Sequence, residues 1–552
     1  MGDFVTGYGD ELNYAWIYNW VIHAVTSGSY ASLFQTNIFY PYQIGLSDSD
    51  PNLVTSLLSI IPYYIIKEPI VVVNFTLISS LALLGFSVYM LCFYLTKDFF
   101  ASLLAGSLII FSPAVLSFYV HLQMIAVWYV PLAIMFFLRF LKEKRGKYLL
   151  ASLLFFVLQT YNNFLAGYFI LFSYAIIFIF YLSYQRKQLK NLIGKKYISF
   201  FIFAFILILP IAYPYYQVSK EFHYTRDIKD AVHLALQPED LLYTWNINRL
   251  YQPINSLPFN KASQNGEFKP GYLGLIFSLL AILTLVMLIK NFKKKDLVNN
   301  SFLAISLTGL VLSLGPVLHL GRYTIHNPFP IPLPYALFYY IVPGFQGFRN
   351  AARWEMLFIL LLAVLCALVL VKILKKYSTK TKIIIYCILI VGCFAEGNFP
   401  MHLQKIISVK DFPKVYSWLA TTPENTKIIE MPIYSWNMAP YSDNEFWRMY
   451  YSTIHFRRTV NGGGGFTPPP WIEMVYELDA SFPSPNALEK LDTLGLQYII
   501  VHKNEYDIIH DDRYLINDRR FPSGNEVIKR LSENNHMQFV KKFGNDYVYF
   551  FK

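Results

Sequence analysis

Four short lysine-rich stretches, Lys142–Lys147, Arg186–Lys196, Lys290–Lys295 and Lys375–Lys382, interrupt a chain otherwise dominated by long apolar runs. Cationic side chains beside an apolar span favour the cytoplasmic side of a bilayer. The four loops therefore constrain both how often the chain crosses a membrane and in which direction. A span needs about 17–25 apolar residues. Ten runs meet that need, at about 69–96, 98–118, 123–141, 147–163, 164–184, 197–217, 270–290, 300–318, 349–373 and 381–399. With these ten spans every basic loop lies inside, and the polar segments 1–68, 218–270, 319–348 and 400–552 lie outside.

Composition agrees: 55% hydrophobic and only 15% charged residues are too apolar for a soluble globular chain. Much of the net charge of +12 sits in the inside loops. It therefore reads as a topology signal and as contact with anionic membrane lipids, not as a nucleic-acid footprint. The four cysteines, Cys92, Cys366, Cys387 and Cys393, all fall in predicted spans. The tail has none and must hold together by packing alone.

The expected organisation is an α-helical polytopic membrane domain, 1–399, with an external first loop at 1–68, followed by a small extracytoplasmic α/β domain at 400–552. Residues 53–66 are apolar but short and contain Pro62, which suits a surface or re-entrant helix. In 10–27, Leu12, Trp16, Trp20 and His23 recur at helical spacing and predict an aromatic helix lying in the membrane interface. Four prolines between 328 and 334 predict an extended tether. In the tail, 427–432, 498–502 and 548–551 read as strands, and 524–535 as an amphipathic helix. Nothing ahead of residue 69 would carry 1–68 outward, so a further span upstream of Met1 is expected.

Charged residues outside the basic loops cluster at outer membrane ends. Asp10 and Glu11 precede the aromatic helix; a carboxylate there suits a general base, and equally a helix cap. Tyr40, in Phe39-Tyr-Pro41, and Asp48, in Ser47-Asp-Ser-Asp-Pro51, are candidate substrate contacts that also suit turns. His121 opens a span and can meet a phosphate or sugar. Arg349 and Arg353 stand four apart in Pro343-Gly-Phe-Gln-Gly-Phe-Arg-Asn-Ala-Ala-Arg353, which would set both on one helix face. Arginine forks there, beside a helix N-terminus, suit phosphate oxygens. Arg226, Glu267 and Arg322 are further candidates in outer loops.

The order of these pieces resembles a family. Asp10 to Trp20 before a helix, then Asn37-Ile-Phe-Tyr-Pro41, is similar to the first external loop of C-type (GT-C fold) membrane glycosyltransferases. His121-Leu-Gln123, Pro343 to Arg353, and Asn461-Gly-Gly-Gly-Gly-Phe466 resemble elements of a prokaryotic branch with a C-terminal external domain. The resemblance implies inverting transfer of a sugar from a polyprenyl-phosphate donor to a cell-envelope glycan, lipid or protein on the outer face. It implies Asp10 as the base, with Glu11 beside it as a second candidate. Arg349, Arg353 and His121 would serve the donor phosphate, and Tyr40, Asp48, Arg226 and Glu267 the substrates. No cofactor is implied with certainty; Asp10, Asp48 and Asp50 are the carboxylates a divalent metal would require. Asn461 to Gly465 is expected as a flexible loop facing substrate. A flippase of lipid-linked glycans and a non-catalytic envelope accessory protein are the competing classes. A flippase would place charges within spans, where this reading finds almost none.

The orientation has a direct test. Cysteines introduced at Ser442 and Lys144 should react differently with an impermeant maleimide in intact cells, with the tail position labelled. Labelling at Lys144 alone would reverse the topology.

Overall fold

The structure is a computed structural model, described here for residues 2, 4–7, 9–29, 33–42, 45–185, 195–242, 271–291, 295–320, 323, 324, 329–397, 403–435, 438, 441–511 and 521–552. Residues 186–194 and 292–294 of the basic loops, and Glu267, Arg322 and Pro328, lie outside this set. Helices occupy every predicted span, from Pro69–Thr96 to Thr379–Gly397. Among the described residues, five are long and apolar enough to cross a membrane, or six if a bent pair counts as one. Gly146–Thr160, Leu275–Lys290 and Leu297–Ser313 are apolar but shorter. At 1.5 Å per residue such helices fall short of a hydrocarbon core roughly 30 Å thick. Thr379–Gly397 carries Lys380, Lys382 and Glu396, which lower its apolar content.

The chain divides into two compact units: Leu77–Tyr213 with Tyr224–Met401, and Met1–Thr76 with Pro214–His223 and His402–Lys552. Small residues set the helix packing of the first. A Cβ on Gly309 would lie 2.6 Å from the Phe358 amide nitrogen, so Leu297–Ser313 approaches Ala351–Leu374 closely. Ser306 bonds the Phe358 carbonyl across the same contact at 3.0 Å. Phe99–Ile110 and Pro113–Val120 meet at 47°, where Pro113 lacks the amide that would continue the helix. Along Lys196–Phe222 the side chains of Phe201, Ile202, Phe205 and Ile206 are exposed, as expected where lipid replaces water. Three carboxylates cap described helices of this unit: Asp98 accepts from Ala101 N, Asp227 from Lys229 N and Asp296 from Asn299 N. The proline-rich stretch is extended, with Leu318 N bonding Ile331 O and Leu333 N bonding Pro316 O.

The other unit is built on a mixed sheet of five strands: β1 (Lys427–Met431), β2 (Arg458–Thr459), β3 (Tyr498–His502), β4 (Met537–Phe543) and β5 (Asp546–Phe551). Their order is β2-β1-β3-β5-β4, with β1 parallel to β2 and β3 and the last two strands a hairpin. The predicted strands and the helix Gly524–Ser532 are present; β2 and β4 are additional. Strand β4 alternates weakly and is largely exposed, and β2 has two residues, so neither carries a clear pattern.

Residues 1–76 belong with the tail, not with the membrane helices as the sequence division has it. The reason is backbone pairing. Phe39 N bonds Asn461 O, Tyr40 N bonds Thr459 O, and Thr459 N bonds Asn37 O, so the first loop extends the sheet beyond β2. Phe4–Val5 likewise pairs with Gln404–Lys405. Helix α1 (Asp10–Thr26) is a packed helix and not the expected interfacial one: Leu12, Trp16 and Trp20 are buried. Its indoles are committed, Trp16 to Asn37 Oδ1 and Trp20 to Leu33 O, both at 2.9 Å. The surface helix expected at 53–66 is two short helices, with Ile61 and Ile65 exposed. Ser442 is buried, so the exposed Glu533 is the better labelling position in this unit.

Behind the ends of β1 and β3 lies a buried ionic network. Glu430 Oε2 accepts from Tyr416 Oη at 2.6 Å and contacts His502 Nε2 at 3.0 Å, while His502 Nδ1 contacts Asp546 at 2.9 Å. Arg448 donates to Glu445 and Glu505, each at 2.6 Å. Asn461, just past β2, holds β1 by two bonds, accepting from Glu430 N at 2.7 Å and donating to Glu430 O at 3.0 Å. Burial alone would lower the His502 pKa, but Glu505, Asp546 and Glu430 raise it to about 10. The proton is thus held more tightly in the folded protein than at the ordinary value of 6.5. Its contribution to stability is complete below that value and is lost as pH rises through about 10. The thermal midpoint of this unit should therefore fall between about pH 7 and 10, and His502→Gln should flatten most of that slope. A slope unchanged by His502→Gln would contradict the assignment.

Candidate functional site

In the sheet unit, Asp10 and Glu11 open α1 but face different surroundings. Asp10 is exposed, whereas Glu11 is buried and accepts a hydrogen bond from Thr6 Oγ1 at 2.9 Å. A Cβ on Gly7 would lie 2.8 Å from Glu11 Oε2, so the N-terminal strand closes over that carboxylate. Burial pushes the Glu11 carboxyl above its ordinary value. Of the two, Asp10 is the exposed carboxylate.

Tyr40 is a brace: its hydroxyl donates to Leu494 O at 3.1 Å, and Lys427 Nζ stands 5.0 Å from its ring centroid. Asp48 lies in the short 3-10 turn Gly45–Asp48, and its side chain is outside the described residues. Asn461 to Gly464 are buried, contrary to the expected flexible loop. A Cβ on Gly462 would lie 3.0 Å from the Phe39 ring, and one on Gly463 3.2 Å from Phe446. These glycines permit close packing.

In the helical unit, the paired-arginine element is held by aromatic rings. Gly344, at φ +78°, turns the chain so that Phe345 is fully buried. Phe345 stacks on Trp354 with centroids 5.6 Å apart and meets Tyr335 edge-on at 5.1 Å. Tyr335 Oη bonds Phe348 O at 3.1 Å, and Tyr168 Oη bonds Pro343 O. Arg226 joins this element, its amide bonding Gln346 O at 3.1 Å. His121 is half-buried just before the short helix Leu122–Ile125. The helical turn begins at Ala351, after Arg349, so the two arginines do not share an α-helical face as their spacing predicts. Arg349 is exposed and Arg353 half-buried.

Immediately beside them is the least satisfied part of the unit. Asn350 Oδ1, Arg353 Nε, Trp354 Nε1 and both carboxylate oxygens of Glu355 are buried with no hydrogen-bond partner. Buried polar atoms are nearly always paired, and each orphan costs about 1–3 kcal/mol. Four residues within six positions therefore mark a place prepared for something polar. Its N–H groups suit an oxyanion, while the Glu355 and Asn350 oxygens suit hydroxyls. Glu355 escaped the sequence reading because the apolar run was counted as a whole. Its signal was a glutamate at the mouth of an otherwise uninterrupted apolar helix. Glu396, also missed, accepts from Ile276 N at 3.1 Å and has a structural partner. Among the described residues no group of three or more His, Cys, Asp or Glu could hold a metal ion.

A family model described as a domain of unknown function, DUF6311, matches residues 14–394. No curated protein matches the chain. The chain is similar to a crystal structure of ArnT from Cupriavidus metallidurans bound to undecaprenyl phosphate, at 9% identity. That alignment covers 98% of this chain and 93% of that one, with a TM-score of 0.46. It is also similar to apo ArnT from the same organism, at 10% identity, covering 96% and 97% of the two chains with a TM-score of 0.41.

An unpaired buried carboxylate lowers stability, and residues kept for function commonly do so. Replacing Glu355 by leucine should raise the unfolding midpoint of the purified protein, by an amount corresponding to about 1–4 kcal/mol. A lowered midpoint would make Glu355 a structural residue.

Proposed function

We propose that this chain, which belongs to the DUF6311 family, is a membrane glycosyltransferase using a polyprenyl-phosphate-linked sugar at the extracytoplasmic face. The observation that carries the reading is the run of unpaired buried polar atoms from Asn350 to Glu355, beside the exposed Arg349. Donor groups at the outer end of an apolar helix suit an anionic headgroup whose tail stays in lipid. The basic loops supply the orientation, and the resemblance of the first external loop supplies the reaction class.

In this reading Asp10 accepts the proton of an acceptor hydroxyl on a glycan, lipid or protein. The acceptor oxygen attacks the anomeric carbon from the face opposite the phosphate. The bond from that carbon to the phosphate oxygen breaks, and the configuration inverts. The bonding electron pair leaves with the polyprenyl phosphate, whose charge Arg349 and Arg353 balance. Glu355 and Asn350 would receive sugar hydroxyls. The exposed Asp10 fits the base role better than the buried Glu11.

A flippase reading has one observation in its favour, the buried Glu355 within a candidate span. Transfer and flipping separate in a reconstituted assay with labelled polyprenyl-phosphate sugar and extracted envelope acceptor. Asp10→Asn should leave donor affinity intact and lower transfer by about 10²–10⁴. Arg349→Ala and Arg353→Ala should raise the donor KM as well. Wild-type transfer by both Asp10→Asn and Glu11→Gln would sink the catalytic assignment, and donor translocation without transfer would favour the flippase.

A further inference from the structure

The sheet unit contains a second polar site that the transfer reading does not use. A narrow pocket is lined by Tyr434, Glu445, Phe446, Gly462, Gly463 and Trp471. Ser442 completes the lining, and the cavity measures about 10 Å³, room for a group about the size of one water molecule. Glu445 is 2% exposed and uses only one carboxylate oxygen. Its Oε1 accepts from Arg448 Nη1 at 2.6 Å, Tyr434 N at 3.1 Å and Asn461 Nδ2 at 3.2 Å. Oε2 is buried and has no partner.

The surrounding charges do not balance. Arg448 serves Glu445 and Glu505 directly and reaches Glu430 only at 4.0 Å. His502 is shared by Glu430 and Asp546. Four carboxylates thus face two cationic groups. Burial, opposed by Arg448, pushes the Glu445 carboxyl up to about 7, as expected for an acid short of a counter-charge. The rings of Phe446 and Trp471 present π systems, which attract cations, while the Tyr434 ring already carries the Arg448 guanidinium 5.2 Å from its centroid. Gly462 and Gly463 leave the space open, since a side chain at Gly463 would begin 3.2 Å from Phe446.

We propose that this pocket binds the primary ammonium group of a small ligand, which donates a hydrogen bond to Glu445 Oε2 between the three aromatic side chains. An ammonium supplies both the missing positive charge and the missing donor. A neutral hydroxyl supplies only the donor, and a quaternary ammonium has no N–H to give. An amino sugar and an ethanolamine headgroup share this chemistry. The proposal does not depend on the transfer reading.

The test is calorimetric titration of the full-length protein in detergent with glucosamine and ethanolamine, against glucose and ethylene glycol as uncharged counterparts. At least one amine should bind saturably, and at least tenfold more tightly than its counterpart. Binding of glucosamine alone would identify an amino sugar, and binding of ethanolamine a headgroup. Glu445→Gln should weaken amine binding at least tenfold, with folding checked by the thermal midpoint. Phe446→Leu, which leaves every Glu445 hydrogen bond in place, should weaken it several-fold. Three results would overturn the proposal: equal binding of amine and uncharged probe, undiminished binding by Glu445→Gln, or no amine binding at all.

Discussion

An unpaired polar atom inside an apolar setting is the expense around which this protein is organised. In lipid, backbone groups must be satisfied within the chain, which is why the candidate spans of the helical unit are built of helix, with a 47° bend ahead of Pro113. Against that background, Asn350, Arg353, Trp354 and Glu355 stand out because they leave side-chain atoms unsatisfied together. The rings of Phe345, Trp354 and Tyr335 lock the turn that holds them, so the groups cannot simply rotate outward. A rigid element with open donors and acceptors is pre-organised for a ligand, and such pre-organisation is what gives electrostatic stabilisation its force in catalysis.

The sheet unit meets the same expense differently. Glu430, Arg448, His502 and Asn461 satisfy one another across β1 and β3, at the carboxyl ends of parallel strands where α/β folds place ligand crevices. The network is paired almost throughout, so breaking one member should cost more than the pair contributes net. Glu445 keeps one oxygen committed and one open, and Arg448 Nε beside it also lacks a hydrogen-bond partner. Among the described residues, unpaired buried polar atoms thus occur in both compact units.

Much of this was legible in the sequence. Apolar runs located the five or six described helices long and apolar enough to cross a membrane, because that signal follows from transfer free energy. The alternation-free strands β1 and β3 were legible for the same reason. What the sequence did not show was tertiary commitment. Trp16 and Trp20 carry the same spacing whether they meet lipid or Asn37 and Leu33, so the interfacial helix was the wrong reading. Asn37 to Tyr40 looked like a site motif, yet its backbone completes a sheet whose partner lies more than four hundred residues away. The glycine run looked mobile, and its burial under Phe39 and Phe446 depends on contacts no local pattern encodes. Glu355 was visible all along as a charge in an apolar run, but only its missing partners gave it meaning.

The central claim is that the element from Arg349 to Glu355 receives an anionic lipid headgroup. Native mass spectrometry of the purified protein with polyprenyl phosphate and with uncharged polyprenol of equal chain length addresses it directly. The account predicts retention of the phosphate over the alcohol by at least tenfold, and loss of that preference in the Arg349→Ala, Arg353→Ala double variant. Equal retention of the two lipids by the wild-type protein, or a phosphate preference surviving both substitutions, would contradict it.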